Sequence, residues 1–80
     1  MSSRILRLPE VIRQSGNTRS TIYLRIQQGL WTKPVGLGGR VVGWPEQEVA
    51  AINSARIAGK SENEIAALVA QLERSRKAVA

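Results

Sequence analysis

The 80-residue chain contains no cysteine, no histidine and no aspartate. Without cysteine there are no disulfides, no thiolate metal sites and no thiol nucleophile. Without histidine as well, a serine or lysine nucleophile lacks its usual activating base. The only carboxylate side chains are glutamates, and each has a structural use. Glu10, Glu46, Glu48, Glu62 and Glu64 fall at expected helix starts, where capping and the helix dipole favour an anion. Glu73 precedes Lys77 by one helical turn, the spacing of a helix-surface ion pair. Nothing is left over for acid–base work, so the chain is expected to be no enzyme and to need no cofactor or metal. No apolar run reaches the roughly 18 residues of a membrane span, and the N-terminus lacks the apolar stretch of a signal peptide. A soluble cytoplasmic protein, associated with the nucleoid if it binds DNA, is the expectation. The length fits one small domain with a modest core, a size at which a partner subunit often adds support.

What the chain does have is positive charge, unevenly placed. Twelve Lys and Arg against six acidic residues give a net charge of +6. Residues 1–40 carry Arg4, Arg7, Arg13, Arg19, Arg25, Lys33 and Arg40 against Glu10 alone, while residues 41–80 are balanced. A folded half whose charge is mostly arginine suits a polyanion, because each phosphate contact releases condensed counterions.

That basic half reads as two short helices around a tight turn. Pro9 suits a first helical turn, Glu10 suits its dipole, and Gly16 supplies a stop. A second helix follows Asn17-Thr18, either of which can cap it, and runs to Gly29. On it Ile22 and Ile26 share one face, continued by Leu30, so Ser20, Leu24 and Gln27 point away and Arg19 and Tyr23 flank the outer side. Arg19, Ser20 and Thr21 occupy the first turn, where a recognition helix commonly presents base-reading side chains. Such residues are also ordinary helix-start chemistry; their coincidence with the basic half favours DNA.

After Leu30 the pattern becomes extended: Trp31 to Val35, then glycines at 36, 38 and 39, then Arg40 to Trp44. Two short strands joined by a glycine-rich turn would make a hairpin wing, with Arg40 just past the tip and Lys33 on the opposing strand, both within reach of phosphates or a minor groove. Trp31 and Trp44, at the base of the hairpin, are expected to be core rather than base-stacking platforms. With Tyr23 the only other aromatic, RNA recognition through stacked rings is a weak option. Pro45 restarts helix, with Val49 and Ile52 on one face and an end near Gly59. A last helix opens on the capping box Ser61/Glu64 and carries the apolar stripe Ile65, Leu68, Val69 and Leu72, with Arg74, Arg76 and Lys77 at its C-terminal end. The stripe either packs back on the domain or pairs with another protomer.

Leu8-Pro9-Glu10-Val11, Arg19-Ser20-Thr21-Ile22-Tyr23, Lys33-Pro34-Val35, Leu37-Gly38-Gly39-Arg40 and Val42-Gly43-Trp44, in order over roughly residues 4–58, resemble the AlpA family of phage-associated regulators. That family is itself similar to MerR-like and excisionase winged-helix proteins. The resemblance implies a small α+β, mostly helical, winged helix-turn-helix with four helices and a β-hairpin wing. It also implies a prophage-encoded, sequence-specific DNA-binding regulator of transcription. By position, Arg19, Ser20, Thr21 and Tyr23 would lie in the recognition helix, with Leu24, Arg25 and Gln27 further along it, and Lys33 and Arg40 in the wing. Many relatives carry a basic residue at position 24; Leu24 is suited instead to a thymine methyl group.

Residues 1–59 are thus expected to form the DNA-binding domain, and residues 60–80 a helix packed on it or used for self-association through Ile65, Leu68, Val69 and Leu72. A module of this size covers only about 600–1,000 Å² on DNA, so a second copy or another DNA-bound protein, RNA polymerase or an integrase, is expected to assist. Two other functions remain open. One is an excision factor that bends attachment-site DNA; the other is a protein-interaction module acting through the last helix.

Overall fold

A computed structural model describes residues 4–76. The element order is β1 (Ile5–Leu6), α1 (Leu8–Ser15), α2 (Arg19–Gln28), β2 (Val35–Gly38), β3 (Val41–Pro45), α3 (Glu46–Ile57) and α4 (Glu62–Ser75). The three strands form one antiparallel sheet in the order β1-β3-β2. This is the expected four-helix, winged helix-turn-helix architecture, with one strand more than the hairpin alone.

Local chemistry accounts for the helix limits. Pro9 and Glu10 stand in the first turn of α1. Thr18, rather than Asn17, caps α2: its hydroxyl accepts the Thr21 N–H at 3.1 Å. Helix α2 ends in a Schellman closure, with Gly29 N–H donating to the Ile26 carbonyl and Leu30 N–H to that of Arg25. At α4, Ser61 and Glu64 form the full reciprocal capping box. The Ser61 backbone N–H and then its hydroxyl hold the Glu64 carboxyl below its ordinary pKa.

The core draws on every element but β2. Leu6, Val11, Ile22, Leu30, Trp31, Trp44, Val49, Ile52, Ile65 and Val69 are all buried in one cluster. Trp44 is fully enclosed, and its indole N–H donates to the Thr32 carbonyl at 2.8 Å, so this large ring is buried without an orphaned donor. Ile65 and Val69 of α4 belong to the same core, Leu72 packs at its edge, and Leu68 is half-buried. The apolar stripe of α4 is therefore largely spent inside this chain.

Two parts of the sheet differ from the sequence expectation. Strand β1 is new: Leu6 pairs with Trp44 and Ile5 with Pro45, and the Glu46 N–H reaches the Arg4 carbonyl at 2.7 Å. A two-residue strand is too short to show alternation. The hairpin is also shifted. Its strands are 35–38 and 41–45, not 31–35 and 40–44, because only Gly39 and Arg40 make the turn. Gly36 and Gly38 lie inside β2, around an irregularity in its pairing with β3. Pro34, which has no N–H to give to a ladder, stands just before the strand.

Gly43 is required by a close approach. A Cβ there would lie 2.5 Å from Ile5 Cγ2 and 2.9 Å from the Leu6 carbonyl oxygen, whereas one at Gly36 meets nothing within 4 Å. Gly43→Ala is expected to cost about 1–3 kcal/mol by overpacking, while Gly36→Ala in the same hairpin changes little. Urea unfolding at constant m-value reads the difference directly.

Candidate nucleic-acid interface

The turn between α1 and α2 sets the geometry of the candidate interface. Gly16 takes the left-handed conformation at φ 72°, and its N–H closes on the Ile12 carbonyl at 2.9 Å. The chain then reverses through Asn17 into the Thr18 cap. Ile22 is fully buried and Ile26 half-buried, which fixes the inner face of α2. Ser20, Tyr23, Leu24 and Gln27 are consequently exposed together with Arg19. Leu24 is 52% exposed, a large apolar side chain offered to solvent at the centre of this face. The Arg19 guanidinium lies 5.9 Å from the centre of the Tyr23 ring, a cation–π arrangement that organises both side chains. Thr21 stands apart from this row: it is half-buried, and its hydroxyl accepts a hydrogen bond from Thr18. Arg25 also turns aside, into a cleft beside Trp31, and is half-buried.

In the wing, Arg40 is part of the two-residue tip itself, not just past it, and is exposed. Lys33 is not on a strand; it lies in the segment before β2. Its backbone is held by Glu73 of α4 and by Arg76, the residue that caps the end of that helix. The Glu73 carboxylate accepts the Lys33 N–H at 2.8 Å, and the Arg76 guanidinium donates to the Lys33 carbonyl at 2.7 Å. Arg76 also forks onto Glu48 of α3, with contacts of 2.6 and 2.8 Å. This pairing with Glu48 raises the Arg76 pKa still further above the neutral range.

Sequence reasoning missed this latch. Glu48 is not merely a helix-start carboxylate: it is buried and paired with Arg76. Glu73 serves the Lys33 backbone, and Lys77, the partner expected for it, lies outside the described residues. The three-residue spacing of Glu73 and Arg76 places both on one side at the end of α4, but it does not point to Glu48 or Lys33.

Positive charge is concentrated in one stretch of the chain. Between Glu10 and Glu46 there is no acidic residue, and this stretch holds Arg13, Arg19, Arg25, Lys33 and Arg40. Among the described residues Arg4, Arg13 and Arg76 form ion pairs, with Glu46, Glu10 and Glu48. Arg19, Arg25, Lys33 and Arg40 have no such partner there. Trp31 and Trp44 are both buried and unavailable for base stacking. Among the described residues, no helix is long and apolar enough to cross a membrane.

Residues 4–56 match the family described as prophage CP4-57 regulatory protein (AlpA). The chain is also similar to the uncharacterized protein ORF88 of Enterobacteria phage P4, with 47% identity over 57 residues. That match covers 71% of this chain and 65% of the phage protein, just under two thirds of its length. No solved structure matches the chain. Helix α4, with the Glu73 and Arg76 side of the latch, lies beyond the family match, whereas Lys33 and Glu48 lie within it.

Removing Arg76 would leave the Glu48 carboxylate buried without its counter-charge. Arg76→Met is expected to lower stability by about 2 kcal/mol, as for loss of a hydrogen-bonded charged pair. In a double-mutant cycle with Glu48→Gln, the two losses should fall short of adding by about 1 kcal/mol. Strict additivity in urea titrations would show that the pair is energetically idle.

Proposed function

Because the chain belongs to the AlpA family of prophage regulatory proteins, we propose that it regulates transcription of prophage or mobile-element genes by binding a specific double-stranded DNA sequence. The observation that carries this reading is the outward face of α2. Arg19, Ser20, Tyr23, Leu24 and Gln27 are exposed on a helix pinned by a tight turn, with no carboxylate in the surrounding sequence from residue 11 to residue 45. A helix enters a major groove in this way, N-terminal turn first. Arg19 and Gln27 are suited to hydrogen-bonding base edges and Leu24 to a thymine methyl group. Thr21, occupied with the cap, keeps a hydroxyl proton for a phosphate. Arg40 at the wing tip and the Lys33 side chain would steady the complex on the backbone or in the minor groove.

The test is footprinting on genomic fragments at two salt concentrations. A discrete protected site is expected, with Arg19→Ala weakening it about tenfold or more, within the range of a lost base contact. Arg40→Ala should weaken all sequences alike and reduce the salt slope by about one, from a value near −5 for roughly six phosphate contacts. Retention that is blind to sequence and unchanged by Arg19→Ala would overturn the reading. The footprint's position is also informative: a promoter fits transcriptional regulation, and clustered sites at attachment ends fit an excision factor.

A single module has limited grip on DNA, so two copies are expected to bind adjacent sites cooperatively. With Ile65 and Val69 enclosed in the core, Leu68 is the member of the α4 stripe best placed to touch a second copy, and the pairing is expected to be weak. Analytical ultracentrifugation with and without the footprinted duplex should show two protomers per duplex and monomers without it. One protomer per duplex would exclude pairing.

A further inference from the structure

A cleft of about 300 Å³ opens between α1, α2 and α3, where Asn17, Arg25, Trp31, Asn53, Arg56 and Ile57 meet. Among the described residues two guanidinium groups line it and no carboxylate does. The Asn53 amide donates to the Gln14 carbonyl at 3.0 Å, which ties α3 to the end of α1 beside it.

Two of the residues that line this cleft carry a buried donor without an acceptor among the described residues. Trp31 is only 2% exposed, yet among the described residues its indole N–H has no partner, and neither does the buried Nε–H of Arg25. Trp44 shows the ordinary solution, because its N–H is satisfied by a carbonyl of the same chain. An unmet buried donor is unfavourable, and a group that accepts hydrogen bonds and carries negative charge answers the Trp31 indole and the Arg25 and Arg56 guanidiniums together. An oxyanion of the phosphate type has that chemistry. Both donors are closed to water, so an occupant must displace lining side chains, of which Arg56 and the 87% exposed Ile57 are open to solvent.

The position of the cleft indicates the source of the phosphate. Arg25 belongs to α2 and follows Leu24 of the outward face by one residue, about 100° around the helix. Asn17 belongs to the turn that leads into α2. The cleft therefore flanks the helix assigned to the major groove, where a strand of the duplex must pass. We propose that it is an oxyanion site that receives one DNA backbone phosphate beside that groove and so fixes the depth and register of α2. The backbone assignment rests on the DNA-binding function proposed above; the oxyanion chemistry of the cleft does not.

The two indole N–H resonances of ¹⁵N-labelled protein provide the test, with Trp44 as internal control. Inorganic phosphate, titrated against chloride at matched ionic strength, is expected to move the Trp31 signal to saturation and leave that of Trp44 in place. Arg56→Gln should weaken this response about tenfold. An unmoved Trp31 signal, or equal movement of both, would overturn the site. In the second arm, the footprinted duplex should move the Trp31 signal to a position that added phosphate no longer changes. A neutral methylphosphonate at one linkage should then weaken binding of the parent protein but not of Arg56→Gln. If phosphate moves Trp31 but no linkage shows this dependence, the cleft serves a free anion or an acidic group of a protein, and the backbone assignment falls. If no footprint exists, the DNA-binding function and the backbone assignment fail together, while the phosphate titration still decides whether the cleft is an oxyanion site.

Discussion

The burial of Trp44 with its indole N–H on the Thr32 carbonyl is the constraint on which the arrangement depends. One hydrogen bond fastens the inner strand of the wing to the segment leaving α2, at the point where the largest side chain of the core is enclosed. Its neighbours extend the junction. Trp31 enters the core, Thr32 accepts from Trp44, and Lys33 is held by Glu73 and Arg76, so three successive residues are tied to different parts of the molecule. The helix-turn-helix and the wing are consequently oriented by the same short stretch of chain.

Electrostatics follow from how the acids are used. Glu10, Glu46, Glu48, Glu64 and Glu73 each engage a group of their own chain: Arg13, Arg4, Arg76, the Ser61 cap and the Lys33 N–H. Five of the six glutamates are thereby engaged within the chain. Among the described residues Arg19, Arg25, Lys33 and Arg40 have no ion-pair partner, so α2 and the wing form a positive region.

Local rules carried well where the chemistry is local. Gly16, Thr18 and Gly29 bound α2, and the capping box of Ser61 and Glu64 starts α4, as their spacing indicates. The alternation of Ile22 and Ile26 against Ser20, Leu24 and Gln27 gave the faces of α2. The wing was legible as a hairpin but not in its boundaries, because glycine marks both a turn and a distorted edge strand. Only the pairing of Gly38 with Val41 resolves which glycine does which. Strand β1 left no periodic signal in two residues. The ion pair of Glu48 with Arg76 joins positions 28 residues apart, and no pattern along the chain encodes it. The cleft at Trp31 was illegible for the same reason, since its donors come together only when three helices pack.

Tying the last turn of α4 to Lys33 also links two places that would otherwise open independently. A helix terminus is ordinarily the first part of a structure to fray, and a hairpin root behind a proline has few hydrogen bonds of its own. Here the Glu73 and Arg76 contacts to Lys33 exist only while both are folded. Helix end and wing root are therefore coupled, and part of what holds the root of the wing is supplied by a helix outside the span matched to the family.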